Sequence, residues 1–328
     1  MQPFDNILYV VERDASPACG LERAAAPARA NQARLTVTEV IEPLPPGTRL
    51  EGLELTTDAL QEASRRERAA TLQQLIAPYQ DGLRIEAQVL TGRPFLELIR
   101  DVLRHGRDLI IKCVSGQPQR GSLFGSTDLH LLRKCPCPVW LSRPDAALNF
   151  QRVLAAVDVT PVTERKEQQQ QQALNARILD LAAALAVSEF AELHVAHAWQ
   201  ALGEPLLRGG LIATPAETKI DAYIEAERRR HAQALEQALV DLQSRIGREA
   251  SDWLKPVRHL PKGSPRVELP AVATRIEADI LVMGTVARTG IAGLLMGNTA
   301  ETILHRLDCS VLAVKPDGFV SPVTLEQT

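Results

Sequence analysis

Aromatic residues make up only 4% of this 328-residue chain, and neither sign of charge dominates: 37 Lys and Arg stand against 40 Asp and Glu, a formal net charge of −3. The first scarcity removes the stacking platforms on which single-stranded nucleic acids bind. The second removes the basic field that draws a protein to phosphate backbones or anionic lipid. Neither a nucleic-acid nor a membrane partner is therefore expected. Cysteine is sparse and odd in number, at 5, which does not read as a disulfide framework. No apolar run reaches the roughly 18 residues of a membrane span. The start, Met1-Gln-Pro-Phe-Asp-Asn, lacks the basic and apolar regions of a signal peptide, so the expected compartment is the cytoplasm. A Walker lysine loop, a G-x-S-x-G elbow and a Ser-His-Asp order are missing too. With no clear catalytic base, the chain reads as a non-enzymatic protein.

What is present is a repeat. Hydrophobic residues are 45% of the chain, and its length suits about two domains of roughly 150 residues. Gly92-Arg-Pro94 with Glu97-Leu98 leads through a helical stretch to Asp108-Leu-Ile-Ile111. Gly263-Ser-Pro265 with Glu268-Leu269 leads, without a gap, to Asp279-Ile-Leu-Val282. Further on, Gly125-Ser-Thr127 answers Gly297-Asn-Thr299, and the stretch from Cys137 to Asp145 answers that from Cys309 to Asp317. Each half also opens on a short apolar run that ends in an acid, Glu12 or Asp158. Ordered matches of this kind mark a tandem repeat, with domains expected at 1–146 and 150–328.

Periodicity places strands at 6–11, 35–41, 83–90, 108–114 and 139–142 in the first half, with helices at 17–30, 57–78, 94–105 and 127–134 between them. The second half repeats the strands near 152–157, 192–198, 257–260, 279–283 and 311–314. Its longest helix, about 221–246, is charged on one face and apolar on the other. Alternating strands and helices imply right-handed crossovers. The expected fold is α/β: two tandem, doubly wound, five-stranded parallel sheets in the order 3-2-1-4-5, with ligands at the carboxyl ends of the strands. A linker at about 144–149 is short, which favours close packing of the halves. Gln168–Gln172 reads as a solvated helix face. The last strands, 139–141 and 311–314, are apolar edges that need covering. They are expected to face each other within one chain as an intrachain pseudo-dimer, with a homodimer of the whole chain left open.

The second half carries the stretch Met283-Gly-Thr-Val-Ala-Arg-Thr-Gly-Ile-Ala-Gly-Leu-Leu-Met-Gly-Asn-Thr-Ala-Glu301 between a strand and a helix. Gly284, Gly290, Gly293 and Gly297 free the backbone for tight turns. Asn298 and Thr299 fall where a helix begins, and exposed N–H groups there suit an anion. Arg288 adds a positive charge. Asp158 ends the first strand of this half and could accept hydrogen bonds from a base or ribose.

These residues resemble the universal stress protein family, whose loop G-x2-G-x9-G-[ST] wraps the ribose and phosphates of ATP in nucleotide-binding members, with an Asp at the end of strand one on the adenine. The resemblance covers nearly the whole chain in two copies, and the Gly-Thr-Val-x-Arg-Thr-Gly-Ile and Gly-Asn-Thr-Ala-Glu strings are similar to tandem members of the E type. It implies an adenine-nucleotide alpha hydrolase-like fold and a stress-response role. It implies a ligand, ATP or AMP, held by Ala156, Asp158, Ala198, Gly284, Ala287, Arg288, Gly290, Gly297, Asn298 and Thr299. Ala287 stands in place of the second glycine, where a positive φ costs about 1 kcal/mol, and Asn298 in place of Ser or Thr.

In the first half Glu12 replaces the Asp, Cys113 the first glycine, and the loop with Gly116 and Arg120 is one residue short, so this half is expected to be a degenerate partner. The rival functions are a structural or regulatory module with no nucleotide or with an apolar ligand, which Ala287, Leu294, Leu295 and Met296 favour, and a slow nucleotide hydrolase. Cys135-Pro-Cys137 lacks C-x-x-C spacing and any nearby Cys/His cluster, so buried structural cysteine is the reading. His194 and His197, three apart on a strand, point to opposite sides and cannot share a metal.

Overall fold

The computed structural model describes residues 4–12, 17–45, 56–114, 124–209, 216–286 and 296–325. Ala287, Arg288, Gly290, Gly293, Leu294 and Leu295, together with Gly116 and Arg120, lie outside the described residues. The first half runs β1 (Asn6–Val10), α1 (Pro17–Asn31), β2 (Arg34–Ile41), α2 (Thr57–Ile76), β3 (Arg84–Thr91), α3 (Pro94–His105), β4 (Leu109–Cys113), α4 (Ser126–Lys134) and β5 (Val139–Ser142). The second runs β6 (Arg152–Ala156), α5 (Arg165–Glu189), β7 (Glu192–Ala196), α6 (Glu204–Arg208), α7 (Glu217–Ile246), α8 (Arg248–Leu254), β8 (Val257–His259), α9 (Pro265–Arg275), β9 (Ile280–Gly284), α10 (Asn298–Leu304) and β10 (Ser310–Val314).

The chain forms two compact units. One comprises 1–148 with 285–296 and 310–328; the other comprises 149–284 with 297–309. In the first unit the strands lie in the order β3-β2-β1-β4-β5, all parallel, as the sequence implied. β10 continues this sheet, antiparallel to β5, with Val311 opposite Leu141, Leu312 opposite Trp140 and Ala313 opposite Val139. The two apolar last strands thus cover each other. In the second unit β9-β6-β7-β8 are parallel, which reproduces the order β4-β1-β2-β3 of the first. Every residue of β1, β4, β5 and β10 is buried, as a parallel sheet covered on both faces requires.

Much of the repeat is geometry. Gly92 and Gly263, at φ 147° and 151°, hold backbone conformations that L side chains rarely adopt. A Cβ would stand 2.6 Å from Glu97 Cγ in one case and 2.5 Å from Glu268 Oε1 in the other. The Pro after the next residue then opens α3 or α9 at a position where no N–H is needed. Asp108 and Asp279 pin the first strand of each half: Asp108 accepts from the N–H groups of Asp5 and Asn6, and Asp279 from those of Gln151 and Arg152. The Gln run lies on α5 and is mostly exposed.

At the far end of β10, Lys315 Nζ is buried and donates to the carbonyls of Leu132 and Arg133 and to Thr285 Oγ1. A cation on the last carbonyls of α4 complements that helix's dipole. β10 thus packs into the first unit through both its strand pairing and Lys315. Leu312→Ala, at a site 2% exposed, should cost about 2–5 kcal/mol in urea unfolding. Leu325→Ala, at an exposed position, should change it by no more than about 0.5 kcal/mol.

Candidate functional site

The carboxyl ends of the strands differ sharply between the halves. In the first, Lys112 lies in a run of apolar residues on β4, level with Val10 of β1. It is 0% exposed, and its Nζ sits 2.5 Å from Glu12 Oε1 and 2.7 Å from Asp128 Oδ1. It also donates to the Cys113 carbonyl. Asp128 is the third residue of α4, and its other oxygen accepts the Gly125 N–H at 2.8 Å. Burial pushes the Asp128 carboxyl above the usual range, while the Lys112 ammonium and the Gly125 N–H pull it back. A carboxylate thus already occupies the start of α4 and favours its dipole, and a lysine fills the space between the strand ends. A nucleotide phosphate placed here would meet Asp128 and Glu12.

In the second half the register is the same, with Met283 level with Ala156 as Lys112 is with Val10. Met283 thus takes the place of Lys112. Counting from Gly125 and Gly297, Ala300 takes the place of Asp128. One acid remains, Asp158, at the end of β6. It is half-buried, and its Oδ1 accepts the Thr160 N–H at 3.1 Å in a local turn. Asn175 of α5 clamps its backbone, accepting the Asp158 N–H and donating to the Asp158 carbonyl at 3.0 and 2.7 Å. Ala198, Gly284, Gly297 and Thr299 are also partly exposed, Asn298 is exposed, and Ala156 is buried beneath. Gly297 caps α10 at φ −63°, ψ 135°, with no side-chain cap bond. Gly284 has a packing reason as well: a Cβ there would stand 2.9 Å from Leu174 Cδ2 of α5.

The sequence reading missed two features. One is the ion triad, whose signal was a lysine inside the apolar strand Leu109–Cys113. The other lies beside Asp158. His197 does point away from His194, as its spacing implied, but each finds another histidine. His197 Nε2 is 2.9 Å from His231 Nδ1 on α7, and His194 Nδ1 is 2.9 Å from His259 Nε2 on β8. His197 Nδ1 lies 3.2 Å from the Val157 carbonyl and 3.4 Å from the Val159 N–H. Burial lowers His197 to about 4, with a further push from His231. Burial also lowers His231 and His259. No group of three or more His, Cys, Asp or Glu among the described residues could hold a metal ion.

Two tandem α/β repeats, one with its strand ends closed by an ion triad and one with a lone aspartate at the same point, define the class. The universal stress protein family model matches residues 3–143 and again 149–315, and the chain belongs to that family. Universal stress protein E of Escherichia coli strain K12 is 31% identical over 248 residues, 75% of this chain and 72% of its own. The protein of the same name from Photorhabdus laumondii is 27% identical over 335 residues, 98% of each chain. A functionally unknown protein from Pseudomonas aeruginosa PAO1 has a solved structure that superposes with a TM-score of 0.69 at 25% identity, covering 97% of this chain and 95% of that one. No helix among the described residues is long and apolar enough to cross a membrane.

The histidine pairs set a pH dependence. Burial holds His197, His231 and His259 below the unfolded value of about 6.5, so their contribution is fully present above that pH. It is lost as pH falls toward the His197 value of about 4. Urea unfolding at pH 7 and pH 5 should show a loss of about 2 kcal/mol attributable to His197, and His197→Asn should remove that difference. For the triad, Lys112→Met alone should cost about 3–5 kcal/mol because it strands two carboxylates. The triple change Lys112→Met, Glu12→Gln, Asp128→Asn should recover most of that stability in the same assay.

Proposed function

We propose that this is a non-enzymatic stress-response protein whose second half binds an adenine nucleotide, ATP or AMP, or a related small ligand, with the first half as its structural partner. The two-domain division at 1–146 and 150–328 is part of this reading, as are an intrachain pseudo-dimer and a cytoplasmic setting. The observation that carries it is the exchange of Lys112 and Asp128 for Met283 and Ala300. In the first half the anion-binding end of α4 is neutralised from within. In the second, the backbone N–H groups that open α10 have no carboxylate in that position. Exposed N–H groups at a helix start favour phosphate. The base is assigned to Asp158, Ala156 and Ala198, and the phosphates to Gly297, Asn298 and Thr299. Gly284, Ala287, Arg288 and Gly290 supply the connecting loop.

The second reading, an apolar ligand in the same place, is favoured by Leu174 packing on Gly284 and by buried Met283. Both put hydrocarbon near the strand ends.

Calorimetry on the full chain with ATP, ADP and AMP, together with mass spectrometry of co-purified molecules, separates these readings. A turnover assay on the same sample tests for a slow hydrolase. The loss of the Ser/Thr hydroxyl at Asn298 weakens a phosphate contact by about 0.5–3 kcal/mol, and Ala287 adds strain of about 1 kcal/mol. ATP should therefore bind weakly, at up to about millimolar Kd. Ala287→Gly with Asn298→Ser should tighten it at least about tenfold. Equal affinity in the double variant, or binding abolished by Glu12→Gln and not by Asp158→Ala, would count against this assignment.

A further inference from the structure

Cys135 and Cys137 flank Pro136 at the turn from α4 into β5, and both are free thiols. Their Sγ atoms are 3.5 Å apart. Cys135 continues directly from α4, its N–H bonded to the Leu131 carbonyl at 2.9 Å, with φ −70° and ψ 131°. The chain then bends through Pro136 and Cys137. A disulfide needs the sulfurs about 2.05 Å apart, so the two sulfurs, already in van der Waals contact, have a gap of under about 1.5 Å to close. Cys135 is 0% exposed and Cys137 is 7%, so a small, uncharged oxidant arrives from the Cys137 side.

The same spot holds a buried cation, Lys315. Carrying the β5–β10 register beyond Ala313 and Val139 brings Lys315 opposite Cys137. Burial lowers the Lys315 ammonium to about 8, and the charge of Cys135 pulls it back up. Its N–H groups are held by the Leu132 and Arg133 carbonyls and by Thr285 Oγ1, so Lys315 stands near the dithiol as an ammonium, and a nearby cation favours a thiolate. Burial and the neighbouring sulfur hold the Cys137 thiol well above its usual range, so Cys137 enters as a thiol in the second step.

We propose that Cys135, Cys137 and Lys315 form a hydroperoxide-responsive dithiol site that closes reversibly to a Cys135–Cys137 disulfide. The Cys135 thiol releases its proton beside the Lys315 ammonium. The thiolate attacks the terminal oxygen of the hydroperoxide, the O–O bond breaks, and the departing alkoxide (hydroxide for hydrogen peroxide) takes up the proton that the thiol released. Cys137 sulfur then attacks the resulting Cys135 sulfenic acid; the S–O bond breaks and its oxygen leaves as water with the Cys137 proton. Two thiols lose two electrons and two protons, and the hydroperoxide is reduced to an alcohol and water. Because Lys315 also holds the last carbonyls of α4, closure acts where α4, β5 and β10 meet.

The test treats reduced full-length protein with hydrogen peroxide, alkylates it under denaturing conditions and maps the tryptic peptide that begins at Cys135. The expected result is a peptide two hydrogens lighter than its dithiol form, with both alkylation sites lost and both restored by dithiothreitol. In Cys135→Ser, Cys137 should stay alkylatable at the same dose. Lys315→Gln, confirmed as folded by circular dichroism, should close about tenfold more slowly, the factor for one pKa unit in the thiolate. Full alkylation of both cysteines after a dose that oxidises dithiothreitol would overturn the proposal. So would sulfinic or sulfonic acid on Cys135 with Cys137 intact, or an unchanged rate in folded Lys315→Gln. Should Lys315→Gln unfold, the wild-type peptide map decides.

Discussion

A parallel sheet covered on both faces tolerates no unpaired charge inside it, and one buried cation shows how this chain meets that constraint. Taking Lys112 out of water costs several kcal/mol unless its charge is matched and hydrogen-bonded. Glu12 and Asp128 supply the match. The three groups come from the ends of β1, β4 and α4, the elements that would surround a ligand in a doubly wound sheet. In the second half the corresponding positions carry no such charge pair. Replacing Lys112 and Asp128 by Met283 and Ala300 leaves Asp158 as the remaining acid of the three.

The repeated motifs divide into those that build the fold and those that differ with use. Gly92 and Gly263 take backbone angles closed to other residues, and Asp108 and Asp279 tie down the first strand of each half. Neither pair touches the candidate site. At the strand ends three positions set the halves apart: Glu12 against Asp158, Lys112 against Met283, Asp128 against Ala300. Duplication preserved the scaffold, and the chemistry lies in what did not match.

This division explains what the sequence made legible. Strand order and the β5–β10 pairing follow from apolar periodicity and from the need to cover edges, both of which are local or topological. Strand limits shifted by a residue or two, as at β1, which ends at Val10 rather than Val11. The ion triad was not read, because its members lie far apart in sequence and only the strand register brings Lys112 and Glu12 together. The histidine pairs escaped for the same reason: His197 and His231 are 34 residues apart. Gly284 was read as ligand-facing, but its missing Cβ also makes room for Leu174. Cys135 and Cys137, read as structural, are buried as expected; their 3.5 Å approach depends on the bend at Pro136.

In the function proposed above, one half is closed by its own charges and the other receives a ligand. Photo-crosslinking the full chain with an azido-adenine nucleotide, followed by peptide mapping, tests this most directly. The account predicts labelled peptides from the second half, around Asp158 and Ala198. Labelling confined to peptides around Glu12 and Lys112, with the second half unmarked, would contradict it.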